Sequence, residues 1–195
     1  MLNNNLNNYH IILASGSPRR QQFFKDLNIP FEIRLKPVKE EFPDRLNHFE
    51  ISDYLAQLKA LPFKEELKSN DILITSDTIV WHNNKALGKP NTEEEAFQMI
   101  QSLSNNTHEV ITSVCFTTPT IQKTVNAITK VTFKKLNDSE INHYISLFKP
   151  FDKAGAYGIQ EWIGQIGITK IEGSYFNVVG LPTHLVYETL NSLVS

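Results

Sequence analysis

Arg19 and Arg20 stand at the head of a helix-forming segment, directly behind the small-residue run Ala14-Ser15-Gly16-Ser17-Pro18. The apolar run Tyr9 to Leu13 before them reads as a strand, and Gln21 to Leu27 after them reads as a helix. Pro18 suits the first helical position, because the N–H it lacks would be unpaired there. Ser17 suits the N-cap, where its hydroxyl accepts from a free helix N–H. A strand, a loop of small residues and a helix N-terminus together make an anion site, with exposed N–H groups and a positive dipole end. The two guanidinium groups add forked donors that match phosphate oxygens. The chemistry this spacing suggests is phosphate binding; the plainer reading is a capped helix with solvated arginines.

Asp77 follows the buried run Ile72-Leu73-Ile74, and the polar quartet Thr75-Ser76-Asp77-Thr78 is expected to end that strand. A carboxylate at the C-terminal edge of a strand suits a ligand crevice, where it can bind a metal or activate water. The plainer alternative is an Asp that bonds its own backbone in a turn. Glu40 or Glu41, in Lys39-Glu40-Glu41, could complete a hard-metal site with Asp77 or simply form a solvated face. Lys59 and Lys89 could each neutralise a polyphosphate, or be ordinary surface lysines. The segment Phe151-Asp152-Lys153-Ala154-Gly155-Ala156-Tyr157-Gly158-Ile159-Gln160 carries glycines and alanines that let a backbone approach a ligand closely. Gln160 offers a donor and an acceptor, which suits the edge of a base. Tyr157 could stack on a ring or fill core space, and the whole segment could be no more than a tight packed loop.

Other chemistries lack their signatures. Histidines 10, 48, 82, 108, 143 and 184 show no metal-ligand spacing. There is no Walker P-loop, no dinucleotide fingerprint and no Gly-x-Ser-x-Gly elbow. Cys115, the single cysteine, lies in an apolar stretch and reads as a core residue.

These residues need a frame of strands and helices. Phe31 to Leu35 reads as a second strand, and Ile51, Tyr54, Leu55, Leu58 and Leu61 predict a helix from about Glu50 to Pro62. Ile79 to Trp81 resumes the strand after the polar quartet, and Asn83-Asn84 turns it back through Ala86-Leu87. Thr92 with Glu95, and Asn137 with Glu140, are capping-box patterns opening two amphipathic helices. Val110 to Thr118, Ile121 to Phe133 and Ile166 to Ile171 read as strands, Lys149-Pro150 ends the helix before the glycine loop, and Pro182 opens a last helix. The class is α/β or α+β with a mixed sheet.

The 195 residues, 41% of them hydrophobic, suffice for one domain with a core, with room for two lobes, at 9–195 behind a flexible extension at 1–8. The net charge of −2 argues against nucleic-acid or membrane-surface binding. One cysteine permits no disulfide framework within the chain, and the asparagine-rich start is unlike a signal peptide, so a soluble cytoplasmic protein is expected.

Four segments, in this order, resemble the Maf family of nucleoside triphosphate pyrophosphatases over nearly the whole chain after Asn8. They are Ala14 to Arg20, Ser76-Asp77-Thr78-Ile79-Val80, Lys153 to Gln160 and Gly173-Ser174-Tyr175-Phe176-Asn177-Val178-Val179-Gly180-Leu181-Pro182. The form of the third is similar to the subgroup acting on dTTP and UTP. The resemblance implies an α/β, Maf/ITPase-like fold: an elongated mixed β-sheet flanked by helices, in two lobes with a central cleft. It implies hydrolysis of dTTP and UTP, and by extension modified pyrimidine triphosphates, to the monophosphate and pyrophosphate. It further implies a divalent cation (Mg²⁺ or Mn²⁺), a cytoplasmic homodimer, and no nucleic-acid or membrane partner. By similarity Asp77 is the proton acceptor and, with Glu40, the metal ligand. Ser15, Ser17, Arg19, Arg20, Lys59, Thr78, Lys89, Lys153 and Gln160 would meet the substrate, with Arg19, Thr78 and Gln160 at positions tied to substrate choice. The chain departs from the family pattern twice. Lys39-Glu40 replaces a common Asp-Glu pair, which brings Glu41 forward as the metal ligand. Glu161-Trp162 replaces the usual glycine after Gln160, so Trp162 would narrow or re-shape a base pocket. Three other functions compete: a non-catalytic nucleotide-binding regulator of septum formation, a nucleic-acid module, and an enzyme removing non-standard purine triphosphates.

Overall fold

The computed structural model describes residues 6–194. Leu6–Asn8 forms a 3-10 turn that buries Leu6. The rest of the expected N-terminal extension, positions 1–5, lies outside the described residues. The strands are β1 (His10–Leu13), β2 (Glu32–Ile33), β3 (Asp71–His82), β4 (Lys85–Leu87), β5 (Thr107–Thr117), β6 (Gln122–Phe133) and β7 (Ile168–Glu172). The helices are α1 (Pro18–Asp26), α2 (Phe49–Ala60), α3 (Glu93–Leu103), α4 (Asp138–Phe148), α5 (Trp162–Gly167), α6 (Tyr175–Val179) and α7 (Thr183–Val194). The strands form one seven-stranded sheet in the order β2-β1-β3-β5-β6-β7, with β4 pairing β3 beside that path. β1 runs parallel to β2 and β3, whereas β3/β4 and β6/β7 are antiparallel, so the sheet is mixed as expected.

The chain divides into two units. The first takes in the chain up to Asp77, Thr112–Ala127 and the chain from Gly180 onward. Its strands bury both faces: Ile11, Leu13, Ile72 and Ile74 join Phe24, Val114, Phe116, Leu181, Val186 and Leu190, while Ile12 and Leu73 meet Ala60 and Phe63. This is the period-two alternation of strands covered on both sides, and it explains why β1 and the start of β3 are continuous apolar runs.

The second unit spans Thr78–Ile111 and Ile128–Val179. Its core gathers Val80, Ala96, Ile100, Leu103, Val131, Phe133, Tyr144, Tyr157, Ile159 and Ile163. Asn137 and Glu140 form a full capping box on α4, and Lys149, at φ 45°, ends that helix. On α3 only half of the pattern forms. Thr92 accepts from Glu95 N–H at 3.1 Å, but the Glu95 carboxylate goes to Asn91 N–H at 2.6 Å. Asn83 and Asn84, at φ 50° and 58°, make the hairpin between β3 and β4, since asparagine tolerates the left-handed region that such a turn requires.

Three expectations need correction. β3 does not break at Thr75–Thr78 but runs unbroken to His82, so Asp77 lies within the strand rather than at its end. Two side chains of the polar quartet find partners there: Thr75 Oγ1 donates to the Ala56 carbonyl at 2.6 Å and Asp77 pairs with Lys59, while Ser76 Oγ is buried without one. β2 is reduced to two exposed residues, shorter than Phe31 to Leu35. The short helices α5 and α6, of six and five residues, lie outside the expected elements because so few turns show no clear period. Among the described residues no helix is long and apolar enough to cross a membrane.

Candidate functional site

In the first unit, β1 delivers the loop 14–17 to α1. Ser17 is the N-cap and accepts from Arg20 N–H at 3.5 Å, with Pro18 in the first turn as expected. Ser15 is buried. Its hydroxyl accepts from Ser17 N–H at 3.3 Å and its carbonyl from Gln21 Nε2 at 3.1 Å, which fixes the loop from both sides. Gln21 was not among the sequence candidates, because a lone Gln in a helix's first turn carries no signal of this contact.

Arg20 is turned into the protein. Its Nε donates to the Gly180 carbonyl at 2.8 Å and its Nη1 to the Ser76 carbonyl at 2.9 Å. Burial pulls its guanidinium below the usual value, Asp77 pushes it back up, Arg19 lowers it and Glu40 raises it. The group therefore sits in the same electrostatic neighbourhood as both carboxylates while clamping β3 to the start of the C-terminal segment.

Lys59 joins the two acids. Its ammonium lies 2.7 Å from Asp77 Oδ1 and 3.2 Å from Glu40 Oε1. Asp77 is buried and Glu40 half open to solvent. The position of Lys59 follows from the way α2 is held. Ser52 and Ser113 hydroxyls meet at 2.7 Å, Ser113 donates to Asp53 Oδ1 at 2.6 Å, and Asn126 Nδ2 reaches both Asp53 oxygens at 3.1 Å. Thr75 pins the same helix through Ala56. Glu41 turns away and pairs with exposed Lys39 at 2.5 Å, so Glu40 is the acid that joins Asp77. Both carboxylates meet the Lys59 ammonium in this structure, and carboxylate oxygen is the donor type that hard divalent cations take. Among the described residues no cluster of three or more His, Cys, Asp or Glu side chains offers a fuller cage.

In the second unit, Thr78 follows Asp77 along β3, and Lys89 is exposed next to Gly88, whose carbonyl accepts from Gly155 N–H at 3.0 Å. Gly155, at φ 68°, sits where a Cβ would come 2.8 Å from Val80 Cγ2, so only glycine fits that turn. Lys153 is buried and its ammonium lies 2.7 Å from Asp152 and 3.1 Å from Glu161. Gln160 is exposed at the end of the loop. Tyr157 fills the core. Its ring lies 5.1 Å from Phe133 and its hydroxyl bonds His108 Nε2 at 2.7 Å. Trp162 lies edge-on to His143 with ring centroids 4.9 Å apart. Asn177, fully buried, donates to the Val110 carbonyl and to Thr129 Oγ1 at 3.0 and 2.9 Å, a structural role within the fourth motif segment. Cys115 is buried as expected.

The structure thus brings Arg20, Glu40, Lys59 and Asp77 together in the first unit, which also carries Ser15, Ser17 and Arg19. Thr78, Lys89, Lys153 and Gln160 belong to the second. A carboxylate held by an ammonium, with a second acid and a capped helix start, can accept a proton, share a cation and hold an anion.

Comparison with known proteins bears on this chemistry. A family model described as "Maf-like protein" matches residues 10–193. A dTTP/UTP pyrophosphatase of Flavobacterium johnsoniae is 64% identical over 194 residues, covering 100% of both chains. The protein of the same name from Christiangramia forsetii is 60% identical, again over 100% of both chains, and that from Phocaeicola vulgatus is 48% identical over 97% of this chain and 98% of its own. Among solved structures, the Staphylococcus aureus Ham1 protein shares the fold with a TM-score of 0.55 at 15% identity, covering 94% of this chain and 99% of that one.

Proposed function

The chain belongs to the family of Maf-like proteins, and from that membership we propose that it is a nucleoside triphosphate pyrophosphatase hydrolysing dTTP and UTP to the monophosphate and pyrophosphate. The full-length relatives that carry this name support the reading. The observation that carries it is the contact of Lys59 with Asp77 at 2.7 Å and Glu40 at 3.2 Å in the unit that also holds the capped helix start.

In this reading the triphosphate lies over the N-terminus of α1, where free N–H groups and Arg19 meet its oxygens. Lys59 engages Asp77 Oδ1 and orients the carboxylate, leaving Oδ2 to take the proton from water. That water attacks the α-phosphorus in line, the bond to the bridging oxygen breaks, and pyrophosphate leaves with its charge held by the arginine-bearing helix start. Glu40 and Asp77 are the residues that would hold Mg²⁺ or Mn²⁺, which would neutralise phosphate charge when bound. Gln160 reads the base edge, with Thr78, Lys89 and Lys153 as further substrate contacts. Ser15 and Ser17 shape the loop, in keeping with their bonds to the backbone. The reading includes a cytoplasmic homodimer, as the family resemblance implies.

The test is incubation of purified protein with dTTP, UTP and other triphosphates, with and without Mg²⁺ or Mn²⁺, measuring pyrophosphate and orthophosphate separately. Cation-dependent pyrophosphate from dTTP and UTP is expected. Orthophosphate release would overturn the assigned bond cleavage, and nucleotide binding without turnover would favour a regulator.

A further inference from the structure

Glu161 follows Gln160 directly, and its surroundings are built. Glu161 N–H donates to the Gly158 carbonyl at 3.0 Å, closing a tight turn with Gln160 inside it. Gly158 N–H donates to Tyr144 Oη at 3.0 Å, and Tyr144 Oη donates in turn to Glu161 Oε2. One phenol on α4 therefore holds both ends of the turn. Tyr144 is fully buried, and burial, followed by the bond to Glu161, raises its hydroxyl above the ordinary value, so it remains a donor. The other carboxylate oxygen, Oε1, lies 3.1 Å from Lys153 Nζ.

The turn is closely packed. A Cβ at Gly158 would come 2.8 Å from Glu161 Cδ and 3.0 Å from Gln160 Nε2. The carboxylate and the carboxamide thus pack over the same α-carbon. A Cβ at Gly164 would come 1.9 Å from the Ile159 carbonyl oxygen, so α5 closes directly on the backbone that leads into Gln160.

We propose that Glu161 is a positioning residue for base selection: through Tyr144 it straps the turn 158–161 to α4 and so fixes where the Gln160 carboxamide points. The proposal rests on the reading of Gln160 as the base-reading residue. A carboxamide discriminates between bases only if its donor and acceptor ends are held, because a loose one rotates to suit either pattern. Glu161 supplies the hold without touching the substrate.

The experiment measures kcat/KM of wild type, Glu161→Ala, Glu161→Gln and Tyr144→Phe on dTTP, UTP, CTP and GTP, with thermal unfolding to establish that each variant is folded. Glu161→Ala is expected to lower the preference for dTTP over the poorest triphosphate by about tenfold, the scale of one lost charge-assisted hydrogen bond. Glu161→Gln keeps an acceptor for Tyr144 and should restore the preference to within about twofold of wild type. Tyr144→Phe removes the strap's hydroxyl but keeps the ring, and should match Glu161→Ala; it carries the test alone if Glu161→Ala fails to fold. Folded variants in which all four values fall by one common factor, or do not change, overturn the proposal while the function stands. A wild type that cleaves no triphosphate overturns the functional reading, and this inference with it.

Discussion

The Lys59 ammonium bonds a buried carboxylate on one side and a half-exposed one on the other, at 2.7 and 3.2 Å. That geometry gives Asp77 a fixed orientation, so its replacement separates shape from proton transfer. Asp77→Asn keeps the volume and loses the basic oxygen; kcat on dTTP is expected to fall by about 10² to 10⁴-fold with the fold intact. Steady-state pyrophosphate release beside a circular dichroism spectrum checks this, and near-normal turnover would remove Asp77 from the mechanism. At this scale the sequence was partly legible. Asp77 and the arginines stand in recognisable runs, whereas the pairing of Lys59 with Asp77 spans 18 positions and exists only once α2 packs on β3. The choice between Glu40 and Glu41 was likewise open in the sequence, because neighbouring residues of one type differ only in where the backbone aims them. Arg20 shows the converse: its type suggested phosphate, and two of its donors go to backbone carbonyls.

Among the elements, the caps and hairpin were the most legible because each is local. Ser17, Asn137 and Asn83-Asn84 act within four residues of themselves. The unbroken course of β3 was not legible, since a polar run remains in a strand only if groups distant in sequence satisfy it, as the Ala56 carbonyl and Lys59 do. Helix α5 was missed for a related reason. Its seat depends on Gly164 lying against the Ile159 carbonyl, a contact with no sequence period. Gly164→Ala would force backbone against backbone, and overpacking of this kind costs about 1–3 kcal/mol. A urea titration should show a lower midpoint with an unchanged slope; an unchanged midpoint would mean that α5 can shift freely.

For the molecule as a whole, acid is the condition that reveals how the second unit is held. Burial, with His82 adding to it, pulls His108 from 6.5 down to about 3, while Tyr157 bonds its Nε2. The unfolded chain binds a proton below 6.5 that the folded chain refuses until about 3. Stability from this group is therefore whole above pH 6.5 and lost as pH falls towards 3, by up to about 1.4 kcal/mol per pH unit. Urea midpoints between pH 7 and 4 should fall in the wild type and fall less steeply in His108→Gln; parallel slopes would contradict the assignment. The sequence reading reached the fold class at this scale through its mixed pattern of strands and helices. It did not reveal that each unit is assembled from separated stretches, because that is decided by which runs meet in the sheet.

The first unit is completed by chain made long after its start. Phe24, Leu13 and Ile74 share a core with Leu181, Val186 and Leu190, and Arg20 bonds the Gly180 carbonyl, yet about a hundred residues of chain separate Asp77 from Gly180. On a ribosome moving at about 5–20 residues per second, that gap lasts about 5–20 s. Throughout it, the emerging N-terminal strands and α1 carry an apolar face whose cover has not been translated. The stretch from Gly180 onward closes a unit begun about a hundred residues earlier, so a chain released before Gly180 is translated cannot finish folding that unit.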